Sequence, residues 1–233
     1  MKNSFRKLVN KVILPHSQLT YAQSGEDLIL SNLFYKLSID KPSYVDIGAN
    51  HPSYISNTYY FYLRGSRGVC VEPNLFLFEK IKKLRKGDTV LNVGAGFDDQ
   101  TEADFYLFPE SAHGLSTFSK VEAEYWKTTG MKKVGKIAYE KVIKVQLLNI
   151  NTILNEYCKK VPDFISIDVE GLDLAILQSL DFNLYEPKVF IVETLKYDGN
   201  QKEFKNQEII DFMTAKGYDV YADTHVNTIF FKD

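Results

Sequence analysis

Tyr44-Val45-Asp46-Ile47-Gly48-Ala49-Asn50-His51 decides the fold class of this chain. β-forming residues lead into an acid, then into Gly, a small residue and Asn. A buried strand that ends in an acid and a glycine turn is how a doubly wound sheet opens a crevice of nucleoside size. A second strand repeats the ending. Val69-Cys70-Val71-Glu72-Pro73 is a short apolar run closed by Glu72, 26 positions after Asp46. A carboxylate at the tip of the second strand is placed to accept hydrogen bonds from ribose hydroxyls. The two endings together predict a nucleoside-containing cofactor.

The flanking segments alternate strand and helix. Strands are expected over 43–47, 68–72, 89–93, 164–168 and 188–193, and helices over 52–63, 75–85, 151–157 and 207–216. Gly217 follows the last of these as a C-terminal cap. Gln23-Ser24-Gly25-Glu26-Asp27 precedes an apolar helical face, with Ser24 as the expected N-cap and two acids in the first turn. Short loops between alternating elements argue for a parallel sheet. Two closing strands, 218–222 and 227–231, flank Asp223-Thr224-His225-Val226 as an antiparallel hairpin.

The rhythm changes between the third and fourth parallel strands. Segments 102–108 and 141–147 read as strands, and the stretch between them is polar and aromatic. It contains His113-Gly114-Leu115-Ser116-Thr117 and the only tryptophan, Trp126. A long insertion of this kind is more often a substrate loop or lid than filler. The division expected is an N-terminal helix over 1–20 and a single domain over 21–233, with the substrate insertion at 102–147.

Composition narrows the function. The chain has 233 residues, 45% hydrophobic and 25% charged, with a formal net charge of −2. That near-neutral balance leaves no electrostatic footprint for nucleic acid. Cys70 and Cys158 are the only cysteines, and no metal-type cysteine spacing exists. No apolar run approaches transmembrane length. Residues 1–14 are basic with helical apolar spacing, and are expected to pack on the domain or on a second subunit. Peripheral contact with an anionic membrane is the alternative. The expected location is the cytoplasm, with membrane association as the variant of that reading.

The chain resembles the FkbM-type S-adenosylmethionine-dependent methyltransferases. The matching pieces are Gln23-Ser24-Gly25-Glu26-Asp27, Val45-Asp46-Ile47-Gly48-Ala49-Asn50, Val71-Glu72-Pro73, Ile167-Asp168-Val169-Glu170-Gly171-Leu172-Asp173 and Val192-Glu193-Thr194. The resemblance implies a class I, Rossmann-like α/β sheet of five parallel strands plus the C-terminal antiparallel hairpin, with the insertion between strands three and four. It also implies S-adenosylmethionine as cofactor and O-methyl transfer to a hydroxyl of a sugar, a glycan or a secondary metabolite. His51-Pro52-Ser53 stands where the usual third glycine would be. That absence counts against NAD, whose pyrophosphate needs the close approach. A nicotinamide oxidoreductase and a non-catalytic interaction module are the competing functions.

Roles follow from position. Glu72 is the ribose acceptor. Asp46, Gly48 and Asn50 would face the methionine end of the cofactor, where a carboxylate can pair its ammonium. Gln23 and Glu26 would cover that end in the family reading, or else Glu26 serves only to start a helix. Asn92 or the loop Gly94-Ala95-Gly96 could border the adenine, though a β-turn explains them equally. Asp168 and Glu170 sit at the tip of the fourth strand, where cofactor and acceptor should meet. Either could take the acceptor's proton. Alternatively Asp168, Glu170 and Glu193 hold a divalent cation such as magnesium. Asp173 is read as a helix-start acid. His113 is an alternative base, with His225 behind it. Phe108, Phe118, Tyr125 and Trp126 would stack on a flat acceptor or pack the insertion onto the sheet.

Overall fold

The computed structural model describes residues 17–130, 136–198 and 202–233. The helix expected over 1–14 lies outside the described residues, and 17–20 carry no helix. In chain order the helices are α1 Glu26–Lys36, α2 Tyr59–Leu63, α3 Leu75–Leu84, α4 Lys120–Thr129, α5 Ile150–Tyr157, α6 Asp173–Ser179 and α7 Gln207–Ala215. The strands are β1 Tyr44–Ile47, β2 Gly68–Val71, β3 Thr89–Leu91, β4 Gly94–Gly96, β5 Glu102–Leu107, β6 Lys141–Asn149, β7 Phe164–Ile167, β8 Val189–Glu193, β9 Leu195–Tyr197, β10 Glu203–Lys205, β11 Asp219–Asp223 and β12 Asn227–Phe231.

The main sheet has seven strands in the order β11-β12-β8-β7-β1-β2-β3. Strands β3, β2, β1, β7 and β8 run parallel. Strand β12 pairs antiparallel with β8, and β11 with β12, so a C-terminal hairpin ends the mixed sheet. β1 and β7 are buried along their whole length. Helices cover both faces of a central parallel strand, so even the polar residues of these two, Asp46 and Ser166, are buried.

Alternation along the strands divides the core into two layers. Val45, Ile47, Val69, Val71, Ile165 and Ile167 pack with Ile150, Ile153, Leu154, Ile176, Leu177, Ile209 and Met213, under α5, α6 and α7. Tyr44, Cys70, Phe164, Val189 and Ile191 face the other way, onto Leu30, Leu33, Phe34, Phe61 and Ile81 of α1, α2 and α3. Burying one such side chain contributes about 1.5–3 kcal/mol, so these two faces hold the sheet together.

Three local expectations are corrected. Gly25, at φ 88°, occupies the N-cap of α1 with no side-chain cap; Ser24 instead donates its own N–H to Glu26 Oε2 at 2.8 Å. The helix expected over 52–63 forms only at α2. Ile55 sits at φ 51°, and Thr58, at the N-cap, turns its hydroxyl inward to Asp46. The Gly94-Ala95-Gly96 stretch is the strand β4, not a turn. It pairs with β6, and a Cβ on Gly94 would lie 2.4 Å from the Phe118 ring.

β4, β6 and β5 form a separate three-stranded sheet. Between β5 and β6 the chain makes a 3-10 helix, Glu110–Leu115, and α4, whose first turn is capped by the Ser119 side chain. Tyr106, Phe108, Ala123, Trp126 and Ile137 give this region its own small core. Strands β9 and β10 make a further hairpin.

Candidate functional site

A cavity of about 630 Å³ opens at the carboxyl ends of β1, β2, β7 and β8. That is the crevice position expected of an open α/β sheet, and the volume suits a ligand of cofactor size. Its floor is built by the glycine turn after β1. Gly48 has φ 80°, and a Cβ there would stand 1.8 Å from the Asp168 carbonyl oxygen, so only glycine fits. Gly48 and Ala49 donate their N–H groups to the Val71 carbonyl, which ties the turn to β2.

Glu72 follows β2 and lies in the cavity wall, almost wholly buried. The Asn50 N–H donates to its Oε2 at 2.7 Å and the Asn74 N–H to its Oε1 at 2.8 Å. Each oxygen keeps acceptor capacity for a ligand hydroxyl. Burial pushes the carboxyl up to about 7, against the lowering effect of those two N–H groups. Asn50 adopts φ 52° to present its N–H, and its buried Oδ1 has no hydrogen-bond partner among the described residues. The Nδ1 of His113 has none either, and both residues line the cavity. The ring of His113 stays below its ordinary pKa because of burial and the nearby Lys80. Gly94, Ala95, Phe105 and Phe118 supply an apolar part of the wall.

The other end is acidic. Asp168, Glu170 and Glu193 each bring a carboxylate oxygen to within 4.8 Å of the others. All three line the cavity and are partly exposed to it. Burial, with neighbouring carboxylates, pushes Asp168 up to about 7 and holds Glu170 and Glu193 well above the usual carboxylate range. Glu170 reaches this place through a left-handed backbone, φ 55°, and its carbonyl accepts from the Thr117 hydroxyl at 2.9 Å. Asp173 caps the turn by accepting from the N–H groups of Val169 and Gly171, the helix-start role expected of it. Trp126 and Tyr197, edge to face with ring centroids 5.4 Å apart, complete this end with Leu195, Val226 and Gln23.

The cavity therefore brings together Gln23, Gly48, Asn50, Glu72, His113, Asp168, Glu170 and Glu193. It leaves out three residues expected there. Asp46 shares its strand face with Tyr44, so its side chain enters the layer under α1–α3. There it accepts from the Thr58 hydroxyl and lies 3.8 Å from the buried guanidinium of Arg85. Glu26 is buried against the C-terminal hairpin, where Thr224 and Asn227 donate to its Oε1. Asn92 donates its Nδ2 to the carbonyls of Glu72 and Pro73, so it braces the segment that follows β2 without lining the cavity. His225 is exposed beside Glu203. Of the insertion aromatics, Phe118 and Trp126 line the cavity, Phe108 packs inside the insertion, and Tyr125 donates to the Asp198 carbonyl.

Tyr197 and His51 also line the cavity and were missed from sequence. His51 lay in the quoted motif as the substitute for a glycine, which was its only signal. Tyr197 had none beyond following the Val192-Glu193-Thr194 match.

The family model described as methyltransferase FkbM domain matches residues 46–220. No protein of curated function matches the sequence. Solved structures similar to this chain include three methyltransferases. Precorrin-6y C5,15-methyltransferase from Geobacter metallireducens is 14% identical, with 93% of this chain and 92% of that one covered at a TM-score of 0.45. An O-methyltransferase from Bacillus cereus, solved with SAH, is 12% identical over 99% and 90% at 0.44. A TehB-like SAM-dependent methyltransferase from Corynebacterium glutamicum is 8% identical over 99% and 97% at 0.44.

Proposed function

The chain belongs to the FkbM methyltransferase family, and from that premise we propose that it methylates a hydroxyl of a sugar, a glycan or a secondary metabolite with S-adenosylmethionine. The observation that carries the reading is a single cavity with a buried, ribose-type carboxylate, Glu72, in one part and a proton-accepting carboxylate, Asp168, in another.

The residues fit the cofactor on their own terms. Glu72 accepts the ribose hydroxyls, and Gly94 and Ala95 border the adenine. The Gly48 turn leaves room for backbone approach at the methionine end, and the orphaned Asn50 Oδ1 awaits a donor there. Bound S-adenosylmethionine supplies an electrophilic methyl on a sulfonium.

The protein's part is to hold the acceptor oxygen in line behind that methyl and to take its proton. The oxygen–carbon bond forms as the carbon–sulfur bond breaks. The electron pair stays on sulfur, giving S-adenosylhomocysteine, and the hydroxyl proton goes to Asp168 or Glu170. A carboxyl near 7 suits that transfer at neutral pH. The insertion supplies Phe118, Trp126 and the 111–116 stretch to the cavity wall, which supports its role in choosing the acceptor. Carboxylates beside the Trp126 and Tyr197 rings suit a sugar, whose hydroxyls donate and whose C–H face stacks on aromatic carbon.

Calorimetric titration with S-adenosylhomocysteine, with NAD as control and Glu72→Ala alongside, tests the cofactor half. Binding of S-adenosylhomocysteine alone, weakened in the variant, is expected. Binding of NAD instead would refute the reading. A panel of hydroxylated acceptors, followed by mass spectrometry for a gain of one methyl, tests the rest.

A further inference from the structure

Three carboxylates gathered at one point repel each other unless a proton or a cation joins them, and Asp168 and Glu193 stand close enough to share a hydrogen bond. Among the described residues, the cavity containing Asp168, Glu170 and Glu193 has no lysine or arginine in its wall. The charged groups acting on these three are themselves all carboxylates: Glu26, Asp46, Glu122 and Asp173, with the three on one another. Lys196 lines the smaller cavity beside Glu170 and Glu193, where it draws Glu122 and Asp173 down. One lysine stands there against the carboxylates of Asp168, Glu170, Glu193, Glu122 and Asp173, so among the described residues the place remains short of positive charge.

Two further observations point to a ligand at this place. A second, smaller cavity of about 70 Å³ adjoins the cluster, and its wall includes Glu170, Glu193, Glu122, Asp173, Trp126 and Lys196. It has room for about two waters. The indole of Trp126, 8% exposed, forms part of the wall of both cavities, and its buried Nε1 has no hydrogen-bond partner among the described residues. A buried donor without an acceptor is costly, so it marks a place where an oxygen is to arrive.

The geometry suits a metal ion. Two oxygens bound to a small divalent cation lie about 3 Å apart at right angles and about 4–5 Å apart across the ion. The three carboxylate oxygens, all within 4.8 Å, match that spacing. Their donor set is oxygen only, which selects magnesium or manganese over zinc. Such ions keep several of their waters, and the small cavity is where these would stand.

We propose that Asp168, Glu170 and Glu193 bind one divalent cation between the two cavities, and that the ion faces the acceptor hydroxyl while Trp126 donates its indole N–H to an acceptor oxygen. The binding site stands on the cluster itself; its role toward the acceptor rests on the methyl-transfer reading above.

Manganous ion is the probe. The full chain, stripped with chelator, is titrated with manganese chloride and free ion is followed by electron paramagnetic resonance, with S-adenosylhomocysteine binding measured on the same samples. One ion per chain is expected. Glu193→Gln and Glu170→Gln should each weaken it by about tenfold or more, while their S-adenosylhomocysteine affinity reports that they are folded. Asp104→Asn, at a surface acid paired with Lys144, should leave manganese binding unchanged. A chain that binds S-adenosylhomocysteine but no manganese would overturn the cation site and leave the methyl-transfer reading standing. So would equal manganese binding by the glutamine variants, or full methyl transfer by chelator-stripped enzyme. A chain that binds neither ligand overturns both.

Discussion

Glu72 should make both stability and cofactor affinity depend on pH, in opposite senses. Its carboxyl rises from 4.5 to about 7 in the fold, chiefly through burial. A carboxyl with a raised folded pKa holds more protons folded than unfolded between those two values. Its contribution to stability is therefore full below about 4.5, falls as pH rises through the window, and levels off above 7. At 1.36 kcal/mol per unit, the loss is about 3 kcal/mol. For a chain of this length that corresponds to roughly 6–12 °C in Tm. Asp168 and Asp173, pushed up to about 7 and about 6, slope the same way. The difference between wild type and Glu72→Gln isolates the one group, because glutamine keeps the shape and does not titrate. Cofactor binding runs the other way, since ribose hydroxyls donate best to the ionised form. With a free-protein pKa near 7, affinity for S-adenosylhomocysteine should be about tenfold weaker at pH 6 than at pH 8. Thermal melts from pH 4.5 to 8.5, and calorimetry at pH 6 and 8, measure the two arms. Parallel pH curves for wild type and variant in both experiments would refute the reasoning.

Gly48→Ala should cost about 3 kcal/mol or more and abolish cofactor binding, because the new Cβ meets the Asp168 carbonyl in a backbone held at φ 80°; a urea melt with m unchanged checks it. Arg85→Met should destabilise by about 3–5 kcal/mol, since it leaves Asp46 and Asp88 buried without their cation; denaturant midpoints give the figure. Trp126→Phe keeps the ring and removes the N–H, so kcat/KM for the acceptor should fall while the Kd for S-adenosylhomocysteine holds. A matching loss in both would place the indole in cofactor binding instead.

The residues whose place in the cavity was legible in the sequence are those set by position along a strand. Glu72 follows an apolar run, so it must sit at a strand tip. Gly48 follows another, and only glycine turns there. Asp168 and Glu170 follow a third. Asp46 misled because it shares the motif yet occupies the last but one position of its strand, and strand side chains alternate between faces. Its partner Arg85 stands on the far side of β2 in sequence and carries no local signal of burial. Glu26 takes the second of its two expected places, at the start of α1, and lines no part of the cavity. Its acidic side chain suits a helix start, but its partners Thr224 and Asn227 lie nearly the whole chain away.

The amino-acid sequence by itself determined the doubly wound sheet, its closing hairpin, and the acids and glycine at the strand tips, because period, turn residues and strand endings are local properties. Only the tertiary structure decided which acids face the cavity, and the distance, within 4.8 Å, at which the three acids grouped from sequence stand. It alone brought Trp126 of the insertion and Tyr197 of β9 to one wall. Those are distances between segments far apart in the chain, and they are set by how layers pack on the sheet.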